Sequence, residues 1–287
     1  MKQATLHQSI VTVGAALRKA LHELELTSPT PRLDAEVLLM HVGGLDRSKL
    51  ITRDETALTG EQQQRLDNLL ERRKRGEPVA YLAGVREFWS MELNVSPATL
   101  IPRPETELLV EKALDRISLD AEWTIADLGT GSGAMGLALA KERPHCRVIA
   151  TDISPAALEV AKSNARKFSL ANVEFREGDW FTPLAGETLD MIVCNPPYVR
   201  ADDSHLQQGD VRFEPAIALV SGNDGLDAIR HLAEYALKLL RPGGWLMFEH
   251  GSDQAGAIDE LLHRHGYRDI VSHRDLAGHV RVTACRR

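Results

Sequence analysis

Apolar residues in the first quarter of the chain recur at helical spacing. Ile10, Val13, Ala16, Leu17, Ala20, Leu21 and Leu24 fall at i, i+3, i+4 and i+7, forming one stripe on a 3.6-residue period. A second helix is expected from Pro31, which suits a first helical turn, through "LDAEVLLMHV" to the stop at Gly43-Gly44. A third opens at "TGEQ", where Thr59 and Gln62 have capping-box spacing, and runs through "RLDNLLERRKR" to Gly76. Residues 1–76 therefore read as a small helical bundle. Its basic run "RRKR", Arg72 to Arg75, reads as a solvated helix end whose cations complement the helix dipole.

The period shortens to two between Val79 and Leu100. "VAYLAGVREFW" and "MELNVSPATLI" alternate around Ser90, so residues 77–104 are expected to form a β-hairpin linker. From Thr124 to the end, strands and helices alternate. The strands are "TIADLG", "RVIATD", "VEFREGD", "LDMIVC", "GWLMFEH", "RDIVSHRD" and "HVRVTACR". Repeated βα units of this size predict an α/β fold: a Rossmann-like seven-stranded sheet, mostly parallel, occupying residues 105–287. The last strand follows its predecessor without a helix and is expected to run antiparallel. Such sheets bind ligands at the carboxyl ends of strands, where the strand order reverses.

Composition narrows the class. The 287 residues are 43 % hydrophobic and 26 % charged, a globular balance, and the net charge of −7 weighs against general nucleic-acid binding. Three distant cysteines, Cys146, Cys194 and Cys285, suit a reducing compartment. No long uncharged stretch follows Lys2 and none could span a bilayer, so a cytoplasmic protein without a membrane partner is expected. His263 and His265 flank Arg264 near a helix end, where an H-x-H pair diverges, so no metal site is expected.

Candidate chemistry sits at the strand ends. The first strand leads into "DLGTGSGAMG", where Gly129, Gly131 and Gly133 let the backbone approach a ligand and take positive φ. Gly131, Gly133 and Gly136 also satisfy G-x-G-x-x-G, a weak signal alone, because glycine-rich β–α turns serve several cofactors or none. Asp152 closes the second strand, where a carboxylate can accept from both ribose hydroxyls of an adenosine. In "EGDW", Asp179 is placed for an exocyclic amine and Trp180 for a ring face. Each acid taken singly also reads as a helix cap or turn residue. Together they point to NAD or S-adenosylmethionine, and Asp127 is better suited to an ammonium group than to a pyrophosphate.

The fourth strand ends in "CNPPYVR". Neither proline can donate to a ladder, and both fix φ. Asn195 therefore faces the switch-point crevice, while Pro196 has a carbonyl free of the sheet and Tyr198 adds an amphipathic wall. The Asn195 side-chain oxygen and the Pro196 carbonyl form two acceptors at fixed separation, matched to the two hydrogens of a planar amino group. Acceptors so placed hold the nitrogen as it pyramidalises and gains positive charge during attack on a methyl group.

"DLGTGSG", "TDIS", "EGDW" and "NPPY", in this order, resemble a class I S-adenosylmethionine-dependent methyltransferase acting on a planar amino nitrogen. Two subclasses share the corner: N6-adenine nucleic-acid methyltransferases and protein glutamine methyltransferases. "EPVAYLAGVREFWSMELNVSPATLIPRPETELLV", "HLQQGDVRFEPAIAL" and "FEHGSDQ" closely resemble the PrmC/HemK family of peptide chain release factor N5-glutamine methyltransferases. That resemblance spans nearly the whole chain. It implies that Gly129, Thr130, Gly131, Ser132, Gly133, Asp152, Trp180 and Asn195 bind the cofactor, joined by Asp179. It implies that Asn195, Pro196, Pro197 and Tyr198 bind the substrate glutamine, with Asn195, Pro196 and Tyr198 catalytic. "IPRPETE", with Arg103 and Glu105, is implied to lie beside the substrate, and the bundle to dock a class I release factor. An adenine methyltransferase would need a basic groove or target-recognition domain that the sequence does not display. A catalytically silent adaptor is disfavoured by the intact corner and glycine loop.

Overall fold

The computed structural model describes residues 11–52 and 54–287; Lys2 and Ile10, named above, lie outside the described residues. The chain divides at Gly84/Val85 into two compact units.

The first unit is helical. Helix α1 (Val13–Leu24) is capped by the Thr12 hydroxyl, which accepts from the Ala15 N–H. Helix α2 (Pro31–Gly43) ends where Gly44 turns left-handed at φ 60°. Helix α3 (Arg47–Thr52) was not foreseen: six residues burying only Leu50 leave no period to read. Helix α4 (Gly60–Lys74) forms the complete capping box between Thr59 and Gln62. Val79–Ala83 is a short helix, α5, and not the start of a strand. Tyr81, Leu82 and Ala83 are buried in succession, which an alternating strand with one solvated face cannot do. Ala20, Leu24, Ala35, Leu38, Leu39 and Leu70 form the fully buried core.

The "RRKR" run is not a simple solvated end. Arg73 is only 5 % exposed, and its Nε donates to Asp34 Oδ2 at 2.6 Å, joining α4 to α2. Asp34 also accepts from the hydroxyls of Ser28 and Thr30. Arg72 pairs with Glu77, and Lys74 with Glu23 and Glu71.

The second unit opens with a hairpin of β1 (Val85–Phe88) and β2 (Met91–Asn94), turned by Trp89 and Ser90, both at positive φ. Helix α6 (Glu107–Leu114) follows the "IPRPETE" loop. Then come β3 (Thr124–Leu128), α7 (Ala134–Glu142), β4 (Arg147–Asp152), α8 (Pro155–Lys167), β5 (Val173–Glu177) and β6 (Leu189–Cys194). Helix α9 (Asp227–Leu239), β7 (Leu240–Glu249), α10 (Ala255–His265), β8 (Arg268–Arg274) and β9 (Val280–Arg286) complete the unit. The seven-stranded sheet has the order β5-β4-β3-β6-β7-β9-β8. Its first five strands are parallel, and β9 is antiparallel to both neighbours. The order reverses between β3 and β6, so the switch point lies between the glycine loop and the proline corner.

The hairpin belongs to this second unit. The fully buried Asn164 of α8 accepts from the Asn94 N–H and donates to the carbonyls of Asn94 and Ser132. One amide thereby ties the hairpin to the glycine loop.

Candidate active site

The loop after β3 is left-handed at Gly129, Gly131 and Gly133, with φ of 66°, 56° and 87°. A Cβ on Gly129 or Gly131 would meet nothing within 4 Å, so these two positions leave open space above the loop. Gly133 is needed for packing instead, because a Cβ there would press on Leu137 Cδ1 at 2.9 Å. A cavity opens over the loop, walled by Gly129 to Ser132, Thr151 to Ser154, Gly178 to Trp180 and Cys194 to Pro197. Three successive strand ends and the corner thus converge on one space.

Asp152 reaches it from β4. Its Oδ2 accepts from the Gly131 N–H and its Oδ1 from the Ser154 N–H, each at 2.9 Å, which aims the carboxylate while each oxygen keeps a lone pair. Burial raises its pKa. Trp180 sits at the strained φ of 44°, and its indole tilts against His231, whose ring stacks on Tyr235 at 4.5 Å.

Asp127 does not reach the cavity wall and is completely buried. Its Oδ2 accepts from the Thr130 hydroxyl at 2.6 Å and the Gly136 N–H at 2.9 Å, so it braces the glycine loop from behind. Its Oδ1 has no hydrogen-bond partner among the described residues. Burial pushes the Asp127 carboxyl up to about 7. A folded state that keeps a proton the unfolded chain releases is favoured at low pH. Asp127 therefore contributes stability fully present below about pH 4 and lost as pH rises through about 7. Denaturant unfolding at pH 5 and pH 8 is expected to show Asp127→Asn losing less stability over that interval than the parent. Equal losses would contradict this.

At the corner, Asn195 Nδ2 donates to Thr106 Oγ1 at 3.3 Å, and Thr106 Oγ1 donates to Glu249 Oε2 at 2.6 Å. The other oxygen of Glu249 accepts from the Tyr198 hydroxyl at 3.1 Å. Gln254 Nε2 donates to the Tyr198 carbonyl at 3.0 Å. Glu249 is 2 % exposed, at the end of β7 beside β6.

Comparison with known proteins bears on this arrangement. Residues 15–84 match a family model described as the PrmC N-terminal domain, and residues 119–277 match a methyltransferase domain. The release factor glutamine methyltransferase of Escherichia coli K12 is 50 % identical over 267 residues, covering 93 % of this chain and 96 % of that one. Its Xylella fastidiosa 9a5c counterpart is 52 % identical over 260 residues, covering 91 % and 94 %. The chain belongs to the release factor glutamine methyltransferase family. A methyltransferase of Pyrococcus furiosus, 20 % identical with a TM-score of 0.53 over 77 % of this chain and 98 % of that one, shares the fold.

Within this family member most of the expected residues line one cavity, with four exceptions, of which Gly133, packed against Leu137, is the first. Arg103 does not line the cavity; its Nη2 pairs with the buried Glu214 at 2.5 Å, joining "IPRPETE" to "VRFEPAIAL". Glu105 is exposed and also off the wall. Tyr198 is no wall either: its hydroxyl is committed to Glu249, and burial beside that carboxylate pushes its pKa up. Pro102 and Thr106 supply the wall from the first loop, Pro215, Ile217 and Ala218 from the second. Sequence reasoning assigned no role to Thr106, Glu214, Glu249 or Gln254. All four lie in the quoted family stretches, but no spacing says which member of a stretch turns inward.

Proposed function

We propose that this chain transfers the methyl group of S-adenosylmethionine to the side-chain amide nitrogen (N5) of the glutamine in the Gly-Gly-Gln motif of class I peptide chain release factors. S-adenosylhomocysteine is the second product, and the reaction supports translation termination. The observation that carries this reading is the Asn195–Pro196 corner placed across the sheet switch point from an open glycine cradle.

The residues present fit the cofactor. The open positions above Gly129 and Gly131 would admit its amino-acid part, Asp152 would accept from ribose hydroxyls, and Asp179 and Trp180 would flank the adenine. When bound, the cofactor supplies an electrophilic methyl group on a sulfonium. Asn195 Oδ1 and the Pro196 carbonyl accept the two amide hydrogens and so orient the nitrogen lone pair towards that methyl. As positive charge develops on nitrogen, both acceptors bind more strongly, which is the differential binding that accelerates transfer. The departing proton becomes acidic as the new bond forms, so no strong base is required beforehand. The Tyr198 phenol is protonated at neutral pH even at its ordinary pKa, and burial beside Glu249 raises that further, so it does not act as one. Walls from Pro102 and Ile217 frame the entry of the glutamine side chain.

The helical unit is assigned to docking the protein substrate, and residues 105–287 to catalysis. Family membership favours the glutamine reading over adenine. No described helix is long and apolar enough to cross a membrane; the proposed role is a cytoplasmic one on a protein partner. The deciding assay supplies methyl-labelled S-adenosylmethionine with a purified release factor, or with its Gln→Ala counterpart in the Gly-Gly-Gln loop. Label is expected on the first only. Label on neither would sink the proposal, and label on added DNA or RNA would revive the adenine reading.

A further inference from the structure

The direction of the Asn195 amide decides whether the corner can work at all. An oxygen facing the substrate nitrogen accepts its hydrogens, whereas an NH2 group there would oppose donor to donor. Nothing in Asn195 itself selects one orientation, because the two ends of a side-chain amide have nearly the same shape.

The neighbouring protons make the selection. The two oxygens of Glu249 each meet a hydroxyl, Thr106 at 2.6 Å and Tyr198 at 3.1 Å; burial raises the Glu249 pKa, and these two donors oppose it by favouring the acceptor-only carboxylate. Thr106 has a single hydroxyl proton, and it is spent on Glu249. Towards Asn195 the Thr106 oxygen can then only accept, so the Asn195 atom 3.3 Å away must be the NH2 group. A flipped amide would set its oxygen against a lone pair. Asn195 Oδ1 is thereby left for the cavity that both Asn195 and Thr106 line.

We propose that Glu249 is a positioning residue: by claiming the Thr106 hydroxyl proton, it fixes which end of the Asn195 amide faces the acceptor nitrogen. This rests on the glutamine-transfer reading above. A glutamine at position 249 could donate to Thr106, free the threonine proton for Asn195 Oδ1, and let the amide turn its NH2 into the cavity. Shape and volume would hardly change, but the acceptor pair would be broken. The Tyr198 hydroxyl is a separate branch from the same carboxylate, and its loss leaves the Thr106 proton where it is.

The test uses the full chain with a release factor substrate. Glu249→Gln is expected to lower kcat by about 10- to 100-fold, the usual scale for residues that orient a reacting group through one intermediary. KM for the release factor and Kd for S-adenosylmethionine should stay within about threefold of the parent, because the lost interaction matters chiefly in the transition state. Thr106→Val should reproduce the loss, while Thr106→Ser, which keeps the hydroxyl, should retain kcat within about threefold. Combining Glu249→Gln with Thr106→Val should cost no more than the worse single change, since both cut one relay. An unaltered kcat in Glu249→Gln, equal losses in both Thr106 variants, or multiplicative losses in the double variant would overturn the inference. Should Glu249→Gln unfold, as a thermal melt would show, the Val/Ser pair decides alone. A parent enzyme unable to label the release factor would instead overturn the functional reading beneath it.

Discussion

Asn195→Ala is expected to lower kcat by about 100- to 1,000-fold, the cost of removing one preorganised polar group from a charge-developing transition state. In the proposed reaction its Oδ1 is half of the acceptor pair that holds the substrate nitrogen. The other half, the Pro196 carbonyl, is backbone and survives the change. The weak ground-state donation of a planar amide grows as the nitrogen becomes cationic, so the loss should appear in kcat more than in KM. Stability should change little, because the Thr106 hydroxyl keeps its bond to Glu249 and loses only a 3.3 Å contact. Steady-state kinetics with a release factor, beside calorimetric titration of S-adenosylmethionine, separate the two effects. An unchanged kcat would remove Asn195 from the mechanism, and a loss confined to cofactor affinity would reassign it to cofactor binding alone.

Arg73→Met is expected to destabilise the helical unit by about 3–5 kcal/mol, the cost of leaving one member of a buried ion pair without its partner. Asp34 is 4 % exposed, and Arg73 supplies the positive charge joined to it. The two hydroxyls that also bond Asp34 satisfy lone pairs but cannot neutralise charge. Removing both ions together should cost far less: Arg73→Met combined with Asp34→Leu is expected to recover most of the loss, since well-packed apolar replacements of buried pairs are often neutral. Urea unfolding of the three variants measures this. A loss below about 1 kcal/mol for Arg73→Met would mean that the pair behaves like a surface bridge.

Some elements were legible because their signals are local. The Thr59/Gln62 capping box spans three residues, and the Gly43-Gly44 stop needs only a left-handed position after a helical stripe. The seven strands showed themselves as short apolar runs, and the missing helix between β8 and β9 predicted the antiparallel pairing they adopt. The glycine loop and the proline corner were legible for the same reason, since each carries its chemistry within a few consecutive residues. Val79–Ala83 was misread because five residues cannot distinguish a period of two from one of 3.6. Arg73 was misread because its burial depends on Asp34, 39 residues earlier. Its neighbours Arg72 and Lys74 in the same run are part-exposed, so nothing in "RRKR" singles out one arginine.

Sequence alone determined the fold class, the left-handed glycine loop, the acidic strand ends and the proline corner after β6, because each follows from residue type and short-range spacing. Tertiary structure decided where Arg103 points, which residues wall the cavity, and how the Asn195 amide is turned. Thr106 and Glu249 are 143 residues apart, and Asn195 and Thr106 are 89 apart. Hydrogen-bond direction depends on which donor meets which acceptor across that separation, and only the parallel packing of β6 against β7, with the "IPRPETE" loop above them, brings those groups within reach.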